Sequence, residues 1–154
     1  MTLHAVRFSA LFFAALALVP AGAHLAELPN KIGLRPAEYL TVQQIYRGWA
    51  LSGIVVIGAL VSTLVLTIMV RGTGRTFKFA VLALLCIAGT QVVFWVFTFP
   101  ANQATVNWSV LPPNWAELRA QWEYSHAVSA GLNFVALVAL ILSVLGSPKG
   151  ELRR

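Results

Sequence analysis

The sequence predicts an all-α integral membrane protein: one domain, residues 1–154, folded as a four-helix bundle with helical extensions and two structured loops at one end. Three observations predict it. Four apolar stretches run over about residues 8–25, 49–70, 79–99 and 123–145, and a hydrocarbon core of about 30 Å takes about 20 helical residues to cross. Hydrophobic residues make up 58% of the chain and charged residues 10%, more apolar surface than a soluble core of this size can hide. Small residues recur at helix-packing intervals (Gly58 with Ser62, Ala59 with Thr63, Ala127 with Gly131), which lets backbones approach where lipid supplies no hydrophobic drive.

The first stretch has two readings. Arg7, the apolar run Ala10–Val19 and the triplet Ala21-Gly22-Ala23 look like a secretory signal and its cleavage site. Cleavage would leave His24 as an N-terminal copper chelator. An uncleaved helix is the reading adopted, because three spans would fit the charge pattern less well. Pro36 suits the first turn of a helix running through Tyr39, Val42 and Tyr46 into the second span. From Pro36 to Val70 that helix would be about 50 Å long, so it must project or bend near Gly48 or Gly53. A tight basic turn, Arg71 to Lys78, leads into the third span. Asn114 followed by Glu117 reads as a capping-box start for the last helix, which overshoots the membrane by about two turns. Trp49, Trp108, Trp115 and Trp122 form a candidate interfacial belt.

Net charge is +6, but the basic residues sit at helix ends and in short loops. That fits anionic lipid head groups and argues against a nucleic-acid partner. Arg71, Arg75 and Lys78, with Arg7, Lys149, Arg153 and Arg154, mark one side; Lys31, Arg35, Arg47 and Arg119 are spread over the longer loops of the other. The positive-inside rule then predicts a multi-pass protein of the cell membrane with both termini cytoplasmic. Cys86 is the only cysteine, so an intrachain disulfide is excluded and a buried thiol expected. There is no phosphate-binding Gly-rich loop after a strand and no Ser nucleophile elbow. A transporter fits least, since no charged residue falls at mid-bilayer depth.

Chemistry concentrates in two mirrored motifs, His24-Leu-Ala-Glu27 and Glu123-Tyr-Ser-His126. A spacing of three puts each His and Glu on one helical face, and bundle helices use Glu-x-x-His to hold metals. His24, Glu27, Glu123 and His126 together would suit one ion of iron, manganese, zinc or copper. Haem would need the two histidines on opposite sides of a porphyrin, and a site without any cofactor is equally open. As a structural alternative, these groups face head groups or pair with Arg47 and Arg119. Arg119 precedes Glu123 by four residues, a ready ion pair.

A polar stripe continues along the last helix to Asn133, and Gln91 on the third span lies at similar depth. Amides buried in hydrocarbon need partners, so the two are expected to face inward and bond each other. Asn30, Gln43, Gln44, Arg47, Asn102, Gln103 and Asn107 flank the mouth of the expected outward-facing pocket.

The segments Glu27–Lys31, Gln43–Trp49, Phe99–Gln103, Trp115–Arg119 and Gln121–His126 together resemble the small four-helix membrane proteins grouped with anthrone oxygenases. The resemblance implies a four-span bundle. Fungal members of that group oxidise anthrones to anthraquinones with molecular oxygen, and Asn102, Trp115, Arg119, Trp122, Glu123 and His126 are the positions that match. Two functions follow as expectations. In the first, an anthrone oxygenase-like monooxygenase acts on a lipophilic aromatic or quinone-like substrate. His126 is the base, Glu123 orients it, Arg119 holds substrate oxygens, and Asn102, Gln103, Trp115, Trp122, Asn133, Gln91 and Arg47 line the site. In the second, a non-catalytic subunit or ligand-binding protein docks a membrane partner or another copy of itself through its outer loops. The first reading requires the outer ends of the first and last spans to meet.

Overall fold

A computed structural model describes residues 2–146 of the protein; Lys149, Glu151, Arg153 and Arg154 lie outside the described residues. The chain is all-α, with no strand among the described residues. Its helices are α1 (Leu3–Lys31), α2 (Pro36–Gln43), α3 (Ser52–Met69), α4 (Arg75–Val93), α5 (Phe99–Ala104) and α6 (Trp115–Leu145). Four rods are long and apolar enough to cross a membrane: Leu3–Lys31, Trp49–Met69, Arg75–Ala104 and Trp115–Leu145. Around the bundle α1 packs on α3, α3 on α4, α4 on α6, and α6 back on α1. The first and last spans are thus neighbours.

Alanine dominates the interface. Ala10 and Ala14 of α1, Ala59 of α3, Ala80 and Ala83 of α4, and Ala136 and Ala139 of α6 are buried with Val6, Leu66, Val70, Ile87 and Leu140. Small side chains let the helices close in, and contact area then supplies the dispersion energy. Gly58 shows how tight the fit is: a Cβ added there would lie 2.8 Å from the Phe13 ring of α1. Gly131, by contrast, is exposed with no neighbour within 4 Å of such a Cβ, so the expected Ala127–Gly131 pair mediates no close contact inside the bundle. Ser143 Oγ donates to the Thr76 carbonyl at 3.0 Å and fastens α6 to α4 near the Gly72–Gly74 turn. Large apolar side chains such as Phe8, Ile54, Leu85 and Phe134 face outward, which suits lipid contact.

Three features set up the opposite end. The helix expected to run from Pro36 through Val70 is broken at Gly48, whose φ of +91° favours glycine, between two short 3-10 turns, Gln44–Tyr46 and Trp49–Leu51. In the third rod, Pro100 has no N–H and its ring would crowd the Val96 carbonyl. The chain answers with a π-helical turn, Phe94–Thr98, in which Phe99 N–H bonds the Phe94 carbonyl. The last helix starts where predicted, but the Asn114 side chain makes no capping bond, so the expected capping box is not formed. Backbone bonds from Glu117 and Leu118 N–H to the Asn114 carbonyl open the helix instead.

Candidate functional site

The last turns of α1 carry His24, Glu27 and Lys31 at spacings of three and four, so all three share a face. The first turns of α6 present Trp122, Glu123 and His126 toward them. Because α1 and α6 pack side by side, the two imidazoles meet: His24 and His126 stack with ring centroids 4.1 Å apart and planes inclined by 21°. Aromatic rings enclose the pair. Tyr46 lies 4.4 Å from His24, Trp122 5.0 Å from His24 and 4.3 Å from His126, and Trp49 5.5 Å from His24. His24 is buried, and its Nδ1 has no hydrogen-bond partner.

Beside the imidazoles lies a charged cluster. The Lys31 ammonium is buried, 3.4 Å from Glu27 and 3.3 Å from Glu123 Oε1. It donates to the Tyr46 hydroxyl, which in turn donates to the Glu27 carboxylate. The Tyr39 hydroxyl donates to Glu123 Oε1 at 2.8 Å and accepts from Gln43 Nε2. Removing an ammonium and a carboxylate from water costs several kcal/mol each, so the pair persists only because each is multiply bonded. Burial, and then the neighbouring Glu123 charge, push the Tyr39 phenol well above its ordinary value. Burial and the hydrogen bond to Glu27 do the same for Tyr46. Both phenols therefore stay protonated and serve as donors.

This arrangement corrects several expectations. Among the described residues no group of three or more His, Cys, Asp or Glu is placed to hold a metal ion. His24, Glu27, Glu123 and His126 divide into an imidazole pair and a carboxylate pair, and the Lys31 ammonium takes the position between the carboxylates that a cation would need. Glu123 Oε1 takes Tyr39 and Lys31 while its Oε2 has no hydrogen-bond partner, so among the described residues Glu123 makes no bond that orients His126. The Arg119–Glu123 ion pair is not formed either. Arg119 donates to the Leu34 carbonyl at 2.7 Å and lies over the Trp115 and Tyr39 rings, at 4.6 and 5.5 Å. Asn133 and Gln91 do not bond each other: Asn133 donates to the Ser129 carbonyl and Gln91 to the Thr90 hydroxyl, each within its own helix. Arg47 is exposed and bonds the Gln44 side chain, and Gln103 is exposed.

Other predicted residues do join the cluster. Asn102 Oδ1 accepts the Trp122 indole N–H at 2.8 Å and fixes the ring against His126. Trp115 stands about two turns outward, 6.4 Å from Tyr39. Trp108 closes the loop side, 5.0 Å from Tyr39 and 6.0 Å from Trp122. It is held there by an uncommon backbone, since Val106, Asn107 and Trp108 all have positive φ of 48–60°. The Thr105 hydroxyl accepts the Trp108 N–H and Gln44 Nε2 donates to its carbonyl, which brace that turn.

Lys31, Tyr39 and Tyr46 are the residues that motif reading passes over. Their signal is periodicity. Lys31 follows Glu27 by four and His24 by seven, and Tyr39, Gln43 and Tyr46 repeat at four and three, each series marking one helical face. Comparison with protein families, curated proteins and solved structures finds no match to the chain.

Proposed function

We propose that the protein is a multi-pass membrane oxidoreductase that uses the His24–His126 pair as a base on a lipophilic aromatic substrate of the anthrone or quinol class. The observation that carries this reading is the stacked imidazole pair, walled by Tyr46, Trp49 and Trp122, with a buried His24 nitrogen that has no partner. A neutral imidazole offers one acceptor nitrogen, and an aromatic enclosure suits a flat ring system. For an anthrone, the base removes a proton from the acidic methylene, dioxygen adds to the carbanion, and loss of water leaves the quinone. One anthrone and one dioxygen give one anthraquinone and one water, and the proton taken by the base returns with the departing oxygen.

The four apolar rods support a bilayer setting, and the basic turn Arg71–Lys78 supports placing that turn and both termini in the cytoplasm. The imidazole pair then lies near the extracytoplasmic surface. The exposed outer residues Arg47, Gln103 and Asn107 favour the second reading, a docking subunit without its own reaction. Anthrone oxidation by the purified protein in nanodiscs separates the two. We expect anthraquinone formation with one dioxygen consumed per turnover, reduced about 100-fold or more in His126→Ala. A wild-type rate equal to that of empty nanodiscs rejects the oxidoreductase reading.

A further inference from the structure

Every described cation at the imidazole end of the bundle has a partner within the protein. Lys31 pairs with Glu27 and Glu123, Arg35 pairs with Glu38, Arg47 bonds the Gln44 side chain, and Arg119 bonds the Leu34 carbonyl. The opposite end differs. Arg71, Arg75 and Lys78 are exposed at the turn from α3 to α4, and among the described residues their side chains make no ion pair or hydrogen bond. The described carboxylates, Glu27, Glu38, Glu117 and Glu123, all lie at the imidazole end. Three positive charges thus stand together at the turn without a described counter-charge.

Arg75, Lys78, Leu82 and Leu85 follow one another at spacings of three, four and three, so they share one face of α4. That face opens with two cations and continues with two apolar side chains, 42% and 64% exposed. The Arg75 guanidinium lies 5.5 Å from the Phe79 ring, one turn further into the span, so it is drawn back along the helix toward the hydrocarbon. The turn itself is bare. Gly72 and Gly74, with φ of +86° and +58°, have nothing within 4 Å of an added Cβ. Gly74 is the N-cap of α4 and has no side chain to offer, so the N–H groups of Arg75, Thr76 and Phe77 lack a protein acceptor. Thr76 is 1% exposed and its hydroxyl has no partner. Cα–Cβ bonds of a helix tilt toward its N-terminus, which directs this hydroxyl to the turn as well.

We propose that the α3–α4 turn binds the phosphate of one anionic phospholipid, whose acyl chain lies along the face of Leu82 and Leu85. Three cations and the positive end of a helix dipole favour a phosphodiester. A soluble phosphate would match the cations and leave the adjoining apolar face unused, whereas an amphiphile matches both. A choline head group carries its own cation, so the site discriminates by net charge. It lies at the end of the bundle away from the imidazoles and stands independently of any reaction there.

Native mass spectrometry of the detergent-purified protein, titrated with phosphatidylglycerol or phosphatidylcholine, counts and ranks the bound lipids. Each basic residue at an anionic surface contributes about a fivefold change in affinity, so three set an upper limit of about 100-fold. We expect one phosphatidylglycerol to be retained, with a Kd at least tenfold below that of phosphatidylcholine. Arg71→Gln/Arg75→Gln/Lys78→Gln should raise that Kd at least tenfold. Arg75→Gln alone should raise it about fivefold, which keeps the test open where the triple variant fails to insert. The control Arg35→Gln/Arg47→Gln, at the other end, should change it less than twofold. Equal affinity for the two lipids, or phosphatidylglycerol binding unchanged in the turn variants, overturns the proposal. Displacement of the lipid by an equal concentration of glycerol 3-phosphate overturns it too, since the turn then takes a soluble phosphate.

Discussion

Lys31 Nζ lies 3.3 Å from Glu123 Oε1, an ion pair that joins the end of α1 to the start of α6 with both side chains at most 4% exposed. Neither charge could be held there alone. Removing one partner of such a pair leaves the other buried and uncompensated, at about 3–5 kcal/mol. Lys31→Met should therefore lower stability in mild detergent by about that amount. The double variant Lys31→Met/Glu123→Gln should recover part of the loss, because it no longer strands a buried carboxylate. Chemical unfolding followed by circular dichroism measures both, and an additive double variant would rule out the coupling.

The two buried phenols set a pH dependence. Tyr39 and Tyr46 are held above their ordinary value chiefly by burial, so the folded protein keeps protons that the unfolded chain releases near pH 10. Their stabilisation is fully present below about pH 10 and is lost as pH rises beyond it. Phenolate absorbance checks this directly. At pH 11 the folded double variant Tyr39→Phe/Tyr46→Phe should show the same phenolate absorbance as wild type, since neither removed phenol was ionised.

The imidazole pair separates chemistry from packing. His24→Phe keeps a flat ring within the enclosure of Tyr46, Trp49 and Trp122 but removes the acceptor nitrogen. Because phenyl is larger than imidazole, its stability should fall by about 1–3 kcal/mol, as for core overpacking. Anthrone oxidation should fall about 100-fold. Retained oxidation would remove His24 from the proposed reaction.

Gly58 tests the α1–α3 interface. Gly58→Val places a branched side chain where a Cβ already comes within 2.8 Å of the Phe13 ring, and overpacking of this kind costs about 1–3 kcal/mol. Phe13→Ala in the same chain should relieve the clash, which a melting series of the single and double variants will reveal.

Bilayer-length apolar runs, the basic turn from Arg71 to Lys78 and the mirrored His/Glu motifs are local patterns, and local patterns survive in one dimension. They made the helices legible, together with the region where polar chemistry gathers. The break at Gly48 was likewise marked by a glycine in a helix too long to stay straight. Partnership was not legible, because it depends on which faces meet. Arg119 sits four residues before Glu123, yet a lysine 92 positions away in the sequence takes that carboxylate. Asn133 and Gln91 found partners within their own helices. In a medium that satisfies no polar group, each buried charge or amide takes whichever partner helix packing brings closest. The distribution of apolar residues along the sequence determined that this chain makes four long apolar helices. The side-by-side packing of α1 on α6 decided that two histidines stack within an aromatic enclosure while Lys31 takes the carboxylates.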